Sequence, residues 1–313
     1  MPAASNAPFR LARLPFLQWD AAAQLIHAAL SEWYEQHLNQ PGRFGTAWEP
    51  FRVFPEIYEA LDPGCAIIAE DRESGLLRGI CFFHPRPTHV SVGIVAVHPG
   101  SGGRGVARAM LEEVFRDADA AGLPVRLVSS LMNLDSFSLY TRMGFVPGSV
   151  YQDLQFPPGV LPLPADFEGI LRPATCEDIP AMVALEQTLI GLDRGQDFRF
   201  MVENDSGCWH TLLLTAPDGT LGGFLASIHH GETRMLGPGM MRDEAGALAL
   251  ISAQLQHHAP ANPVVLVPAE ASRLVQTLYQ AGARNVELHV AQVRGGGRVT
   301  SGIVIPTFLP ESG

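Results

Sequence analysis

The residues best suited to chemistry lie in a glycine-rich turn between an apolar stretch and an amphipathic one. Four glycines occur between Gly100 and Gly105, inside the stretch VAVHPGSGGRGVARAML. Backbone N–H groups at the start of a helix point outward and carry the positive end of its dipole. A strand that enters such a turn before a helix therefore offers a cradle for an anion such as a phosphate. Taken alone, the motif fits a plain strand-to-helix turn equally well, and it fits a dinucleotide-binding turn less well because its spacing is not GxGxxG.

A second group of polar residues follows on a predicted short helix. The stretch NLDSFSLYTRMGF places Asn133, Ser136 and Tyr140 ahead of Gly144 and Phe145. A phenol can donate a proton to a strongly basic leaving group. Tyr140 is therefore a candidate acid, and its alternative role is that of a core aromatic residue on the helix.

Both motifs resemble those of the GCN5-related N-acetyltransferase (GNAT) family, over roughly residues 10–155. The family loop is V-x-P followed by Q/R-x-x-G-x-G/A, and the chain has Val97-His98-Pro99 followed by Gly102 to Ala107. It departs from the family at Gly102, where Gln or Arg is usual. That difference removes one side chain near the pyrophosphate but no backbone donor. The resemblance implies that acetyl-CoA is the co-substrate and predicts as its binding residues Val95, Ala96, Val97, Gly102, Gly103, Arg104, Gly105, Val106, Ala107, Asn133 and Ser136.

The resemblance also implies a reaction, the direct attack of an amine on the thioester of acetyl-CoA. A backbone N–H near Val95 would stabilise the oxyanion, and Tyr140 would protonate the leaving thiolate. The base that deprotonates the amine is less evident, because the strand HVSVGIVAV has no carboxylate. His89 on this strand is a candidate, directly or through water, although a histidine at a hairpin edge without such a role is the alternative. Glu56 is a second candidate, with Glu32 and Glu35 as rivals.

These glutamates lie in an aromatic-rich segment of the first half. In this family the segment would line the acceptor site, and a small second core is an equally good interpretation. Its aromatic residues are Trp33, Tyr34, Phe44, Trp48, Phe51, Phe54 and Tyr58.

Hydrophobic periodicity predicts an α/β (α+β) chain. The resemblance implies that this chain forms two tandem GNAT domains, each with a central mixed sheet flanked by helices. In the first half, the hydrophobic pattern predicts helices at 22–38, 55–61, 104–122 and 134–144, with strands between them. Four prolines at 155–169 predict a linker. The predicted domains are therefore a catalytic domain at 1–154, a linker at 155–168 and a degenerate domain at 169–313.

The second half repeats the order of elements of the first half, but not its chemistry. A shift of 138 residues places Gly144 on Gly282 and Tyr140 on Leu278. The same shift places Asn133 on Ala271 and Gly105 on Asp243, a carboxylate where the pyrophosphate would bind. We therefore expect one acetyl-CoA per chain. The pairs His229-His230 and His257-His258 lack the spacing of a metal site, and no metal is predicted.

Composition restricts the remaining function classes. The 313 residues carry a formal net charge of −11, which disfavours nucleic acid as a partner. We find no run that would span a membrane and no signal peptide, and the four separated cysteines are typical of reduced thiols. We predict a bacterial, cytoplasmic N-acetyltransferase that acts on an amine of a small molecule or peptide, with the oligomeric state left open. The alternative is a non-catalytic, acyl-CoA-binding or regulatory protein.

Overall fold

The computed structural model describes residues 7–157, 161, 163, 167–231, 233–296, 301–309 and 311–312. Much of the predicted linker, residues 155–168, lies outside them. By its contacts the chain divides into two compact units: Met1–His84 with Val92–Gly122, and Pro85–Ser91 with Leu123–Gly313. This division differs from the predicted domains, and the strand pairing explains the difference.

The first unit places an amphipathic helix directly on an antiparallel sheet. Its strands run in the order β1, β2, β3, β4, and β2 is antiparallel to both of its neighbours. A Cβ on Gly79 of β3 would lie 2.6 Å from a methyl carbon of Val106, so only glycine allows this close approach of the helix. The elements are β1 (Phe9–Arg13), α1 (Trp19–Leu38), α2 (Val53–Leu61), β2 (Ala66–Asp71), β3 (Leu77–Arg86), β4 (His89–Val97) and α3 (Val106–Ala121).

The second unit contains the rest of the first half and all of the described second half. Its strands run in the order β5, β12, β6, β11, β10, β9, β8, β7, and β13 pairs with β10. Its elements are β5 (Val125–Ser130), α4 (Leu134–Arg142), β6 (Val146–Gln155), β7 (Ile170–Pro173), α5 (Ile179–Ile190), α6 (Gly195–Glu203), β8 (Trp209–Thr215), β9 (Leu221–His230), β10 (Thr233–Met241), α7 (Glu244–His258), β11 (Val264–Pro268), α8 (Ser272–Gln280), β12 (Arg284–Arg294), β13 (Ile303–Ile305), β14 (Thr307–Phe308) and β15 (Glu311–Ser312).

The two halves of the sequence exchange a pair of equivalent strands, β6 and β12. Strand β12 of the second half lies between β5 and β6 of the first half, and β6 in turn pairs with β11. Tyr151 pairs with His289, and these are equivalent positions under the 138-residue shift. A local pseudo-twofold axis therefore passes between them. Because each half completes the sheet of the other, contacts do not separate at the linker, and the predicted domain limits stay predictions from the sequence repeat.

The turn between β3 and β4 is anchored within the second unit. Arg86 forms a buried ion pair with Asp197 of α6, and the backbone N–H of Asp193 donates to Thr88 Oγ1 over 3.0 Å. A buried pair of this kind is costly to break because one charge would stay unpaired. These contacts explain why Pro85–Ser91 clusters with the second unit.

The mixed α/β architecture confirms the predicted fold class. The sequence analysis missed β1, α6, β10 and the strands after β12, which are β13, β14 and β15. Strand β10 carries Gly237, Pro238 and Gly239, residues that normally interrupt strands, and its register with β9 shifts between Leu236 and Gly239. Of the helices in the described parts of the chain, none has both the length and the apolar character needed to cross a membrane.

Candidate functional site

The turn before α3 leaves the start of that helix open. Gly105 precedes the helix in a left-handed conformation, with φ at 76°, and provides no side chain to cap it. Gly103 has φ at 70°, and a Cβ at either glycine would meet nothing within 4 Å. These glycines are therefore required by the backbone conformation rather than by crowding. The segment from Gly102 to Gly105 is exposed, so the first N–H groups of α3 face an accessible surface.

His98 shapes the turn from its other end. Its Nδ1 accepts a hydrogen bond from the backbone N–H of Gly100 over 3.1 Å. Its carbonyl oxygen accepts from the N–H of Ser101 over 2.7 Å, which forms the short 3-10 turn at Pro99–Ser101. The chain thus turns sharply between β4 and α3 before it reaches the two glycines.

Strand β4 changes its burial along its length. Its first residues, His89 to Val92, are buried, whereas Gly93, Ile94 and Val95 are half-buried. The parallel ladder to β5 consists of two pairs, Val90 with Val125 and Ser91 with Arg126, while β4 continues to Val97. The predicted pantetheine-binding stretch, Val95 to Val97, therefore includes half-buried positions beside the glycine turn.

Gly93 is required by a ring that lies on β4. A Cβ at this position would be 2.5 Å from Cε1 of Tyr58. Tyr58 is buried, and its ring centroid is 4.4 Å from that of Phe82 and 4.9 Å from that of His84. Tyr58 therefore belongs to the core of the first unit and covers one face of β4.

The aromatic segment divides between the two roles that the sequence allowed. Tyr58 and Phe51 are buried and form part of a core. The remaining rings are half-buried. Among them, Trp33 contacts Tyr34 edge-on with centroids 5.0 Å apart, and Tyr34 contacts Phe44 edge-on with centroids 5.1 Å apart. Arg43 lies over Tyr34 at 4.6 Å. An accessible aromatic surface remains, made of Trp33, Tyr34, Phe44, Trp48 and Phe54.

The predicted bases differ in their burial and in the residues that they contact. His89 is fully buried, and its Nδ1 lies 3.0 Å from Thr88 Oγ1. It begins β4, about 20 Å from Val95 along an extended strand. The half-exposed Glu56 carboxylate forms an ion pair with Arg52 at 3.0 Å. Of the rivals, Glu32 accepts a hydrogen bond from Gln36, and Glu35 is exposed.

The second motif forms the two ends of helix α4. Asn133 caps the helix, since its Oδ1 accepts from the N–H of Ser136 over 3.0 Å. At the other end, the N–H of Phe145 donates to the carbonyl of Tyr140, and Gly144 has φ at 90°. Tyr140 is 8% exposed, and its ring packs edge-on against Phe145. The structure thus assigns Asn133 and Ser136 to helix capping, while their contact with a cofactor stays a prediction.

In the second half, carboxylates of the chain itself occupy the equivalent helix start. Asp243 caps α7, and its Oδ1 accepts from the N–H of Gly246 over 2.8 Å. The neighbouring Glu244 accepts from the N–H of Leu274, near the start of α8, over 2.5 Å. A cleft of about 580 Å³ remains at this place, and the two carboxylates line it together with Arg242 and Arg273.

Helix α8 also lacks the chemistry of α4. Leu278, the equivalent of Tyr140, is fully buried and apolar. Tyr279 is 42% exposed, and its hydroxyl donates to Gln152 Oε1 over 2.5 Å. The one-residue displacement of the tyrosine therefore turns its hydroxyl to a different surface, as the helical repeat requires.

The histidine pairs of the second half stack on one another instead of converging. The rings of His210 and His257 are 3.7 Å apart, and those of His229 and His258 are 5.7 Å apart. Burial, and then the neighbouring imidazoles, lower the pKa of His258 to about 4. These rings pack face to face, which is not the geometry of a chelate.

Among the described residues, three metal-binding side chains come close together at the exchanged strands. Potential ligand atoms of Asp153, Glu287 and His289 lie within 4.8 Å of one another. Nδ1 of His289 is 2.8 Å from Asp153, and its Nε2 is 4.0 Å from Glu287. Because opposite ring nitrogens face the two carboxylates, this is an imidazole held between two acids rather than a group converging on one ion.

A histidine–aspartate pair in the first unit was missed by the sequence analysis. His84 Nδ1 lies 2.5 Å from Asp62 Oδ2, and both side chains are buried. The signal that could have found the pair is the position of His84 at the end of the apolar run GICFFH, where a buried polar residue needs a partner.

Together, the fold and the open helix start define the class of the protein, and a family comparison agrees. Residues 24–145 match the model of the Acetyltransferase (GNAT) family. Residues 24–145 therefore form a domain of the GNAT family, which confirms the resemblance seen in the motifs. In the sequence comparison, no curated protein matches the chain significantly.

Solved structures share the fold over nearly the whole chain. A protein from Pyrococcus horikoshii, described as a candidate acetyltransferase, has a TM-score of 0.73 at 13% identity and covers 97% of each chain. A GCN5-related N-acetyltransferase from Sphaerobacter thermophilus has a TM-score of 0.61 at 17% identity, covering 95% of this chain and 98% of its own. A tandem GNAT protein from the clavulanic acid biosynthesis pathway has a TM-score of 0.58 at 15% identity, covering 92% and 99%. At these identities the likeness concerns the fold.

Proposed function

We propose that the protein is an N-acetyltransferase that moves an acetyl group from acetyl-CoA to an amine of a small molecule or peptide. The observation that carries the proposal is the uncapped start of α3, where Gly103 and Gly105 adopt left-handed conformations and no side chain covers the first N–H groups. Such a helix start binds phosphate oxygens through backbone donors and the helix dipole.

The proposed binding mode follows the chain from β4 into α3. The pantetheine lies along Val95, Ala96 and Val97, whose segment is partly accessible. The pyrophosphate lies on the N–H groups from Gly102 to Ala107. Arg104 is exposed in this loop and supplies a positive charge for the phosphates.

The proposed reaction has two proton transfers around one acyl transfer. The neutral amine attacks the thioester carbonyl, and a backbone N–H near Val95 stabilises the oxyanion. The C–S bond then breaks, and the hydroxyl of Tyr140 donates its proton to the departing thiolate. The former amine nitrogen loses one proton as it becomes the amide, and a proton from solvent restores the neutral tyrosine. The support for Tyr140 is its place in the second motif, on a helix whose ends Asn133 and Gly144 define.

We further propose that only the first half binds acetyl-CoA. In the second half, the N–H of Gly246 is already bonded to the Asp243 carboxylate, and Leu278 replaces the tyrosine. A pyrophosphate at this helix start would have to displace one negative charge while facing a second, that of Glu244. The role of the second half is then structural, since its strand β12 completes the sheet between β5 and β6.

The acceptor is proposed to be a cationic primary amine. The net charge of −11 favours an ammonium group over an anionic acceptor. Glu32 and Glu35, which lie among the residues of the aromatic-rich segment, add carboxylates that can attract an ammonium group. Four free cysteines are consistent with the proposed cytoplasmic location, where thiols stay reduced.

A thiol-release assay tests the function. The full chain is incubated with acetyl-CoA and a panel of aliphatic amines, amino sugars and peptide N-termini, and free CoA is measured against a control without acceptor. We expect acceptor-dependent release, strongest with cationic primary amines. Calorimetric binding of acetyl-CoA without transfer to any acceptor would instead support the non-catalytic, acyl-CoA-binding alternative, for which the absence of a carboxylate on β4 is the main argument.

A further inference from the structure

The general base of the reaction is the least explained part of the proposed function, on which this inference rests. An acceptor that arrives as an ammonium ion must lose a proton before it can attack. Glu56 is held by Arg52, and His89 lies at the far end of β4 from Val95. A different group in the first unit meets the requirements better.

His84 has the hydrogen-bonding pattern of an oriented base. Its Nδ1 is 2.5 Å from the carboxylate of Asp62. An ionised carboxylate can only accept hydrogen bonds, so the Nδ1 that faces it carries the proton. The hydrogen bond of one ring nitrogen determines the state of the other, so the lone pair of neutral His84 lies on Nε2. No described residue hydrogen-bonds this Nε2, although it is buried.

The burial of an unbonded ring nitrogen is costly and calls for an explanation. A buried polar atom without a partner costs about 1–3 kcal/mol, and such atoms are rare in folded proteins. His289 differs because both of its nitrogens face carboxylates. His258 differs because no described residue hydrogen-bonds either nitrogen, so no carboxylate orients its ring. His84 combines an orienting carboxylate with an available lone pair.

One residue, Tyr58, connects His84 to the part of β4 where the reaction is proposed. Tyr58 contacts both His84 and Gly93, since its ring lies 4.9 Å from the imidazole and occupies the place of a Gly93 Cβ. Val95 follows Gly93 on the same face of the strand, about 7 Å further on. The imidazole therefore lies one aromatic ring away from the face on which the acceptor would approach the thioester.

We propose that His84, oriented by Asp62, is the general base that deprotonates the acceptor amine. The N–H bond of the ammonium breaks, its electron pair stays on nitrogen for the attack, and the proton passes to Nε2 through water, because the Tyr58 ring separates the imidazole from the acceptor face. Asp62 stabilises the resulting imidazolium, which releases the proton to solvent after transfer. Titratable and charged groups near the pair include Tyr58, Glu59, Cys65 and Arg13, and burial raises the pKa of Glu59.

The test compares three variants of the full chain. His84→Gln retains a polar side chain but cannot take up a proton. We expect its kcat at neutral pH to fall about 10²- to 10³-fold, while the Kd for acetyl-CoA stays within about twofold. The deficit shrinks at alkaline pH, where the amine arrives already neutral, and a structural role would not produce this recovery. Asp62→Asn no longer selects the required tautomer, and we expect a kcat loss of about 10- to 100-fold.

His258→Gln is the matched control, because it removes an equally buried histidine outside the proposed site. Its kcat and pH profile stay those of the wild type. If the wild type transfers acetyl groups and His84→Gln keeps both its rate and its pH profile, the base is wrongly assigned and the proposed function stands. If His84→Gln does not fold, an unchanged pH profile of Asp62→Asn overturns the assignment. A wild type that transfers to no acceptor overturns the proposed function and the base with it.

Discussion

Replacing Gly105 by Asp recreates, in the first half, the carboxylate that the second half carries at Asp243. In the second half this carboxylate accepts from a backbone N–H at the helix start over 2.8 Å. Asp243 caps α7 from an extended backbone, whereas position 105 is left-handed, so we expect the introduced carboxylate to act through its negative charge beside the donors proposed for the pyrophosphate. Gly105→Asn is the control, because Asn has the same size and also tolerates the left-handed conformation.

The expected magnitude follows from the charge. A Cβ at Gly105 meets nothing within 4 Å, so neither side chain is excluded by crowding. Two unit charges about 4 Å apart repel by roughly 4 kcal/mol at an effective dielectric constant of about 20. Because the loop is exposed and salt screens the charges, we take about a quarter of this value, which corresponds to roughly a fivefold change in affinity. Gly105→Asp should therefore bind acetyl-CoA at least about fivefold more weakly than Gly105→Asn, and the gap should narrow with rising salt.

Titration calorimetry measures both the affinities and the stoichiometry. We expect one acetyl-CoA per wild-type chain and a ranking in which glycine binds most tightly and Asp least tightly. Circular dichroism and thermal unfolding check that both variants fold. Equal Kd values for Asp and Asn would show that no phosphate lies at Gly105. A stoichiometry near two would show that the second half binds acetyl-CoA as well.

Three further predictions concern the acid, the second half and the histidine cluster. Tyr140→Phe should lower kcat about 10- to 100-fold with an unchanged Kd for acetyl-CoA, because its hydroxyl acts only on the departing thiolate; equal turnover with chemistry rate-limiting removes it from the mechanism. Asp243→Gly should leave the calorimetric stoichiometry at one, since Ala271 and Leu278 stand where the first half has Asn133 and Tyr140; a second binding event contradicts this. Burial lowers the pKa of His258 to about 4 from 6.5, so the unfolded chain takes up a proton that the folded protein resists. The free energy of unfolding should therefore fall by on the order of 2 kcal/mol between pH 7 and pH 4, and His258→Gln should flatten this slope in urea titrations.

Local patterns were sufficient to predict the elements that carry the two motifs. The apolar positions of α3 follow the helical repeat, and glycines bracket the helix at Gly105 and Gly122. The same holds for α4, where Asn133 begins the helix and Gly144 follows it. These features depend on residues a few positions apart, so the sequence by itself determined the acetyltransferase domain and its open loop. It also determined the asymmetry between the halves, because Asp243 and Leu278 stand at aligned positions.

Other features depended on pairings between distant residues, which no local pattern encodes. Asp62 and His84 are 22 residues apart and meet only because the end of α2 packs beside β3. The requirement for glycine at position 93 also depends on a distant residue, because the ring of Tyr58 occupies the place of a Cβ there.

The exchange of β6 and β12 likewise depends on the tertiary structure. Both strands have ordinary apolar patterns, and either could in principle pair within its own half. Strand order is selected by the summed burial and hydrogen bonding of the whole sheet, not by the preference of one strand. The sequence alone thus determined which chemistry the chain carries and in which half, whereas only the tertiary structure decided which strands complete the sheet and which histidine receives an orienting carboxylate.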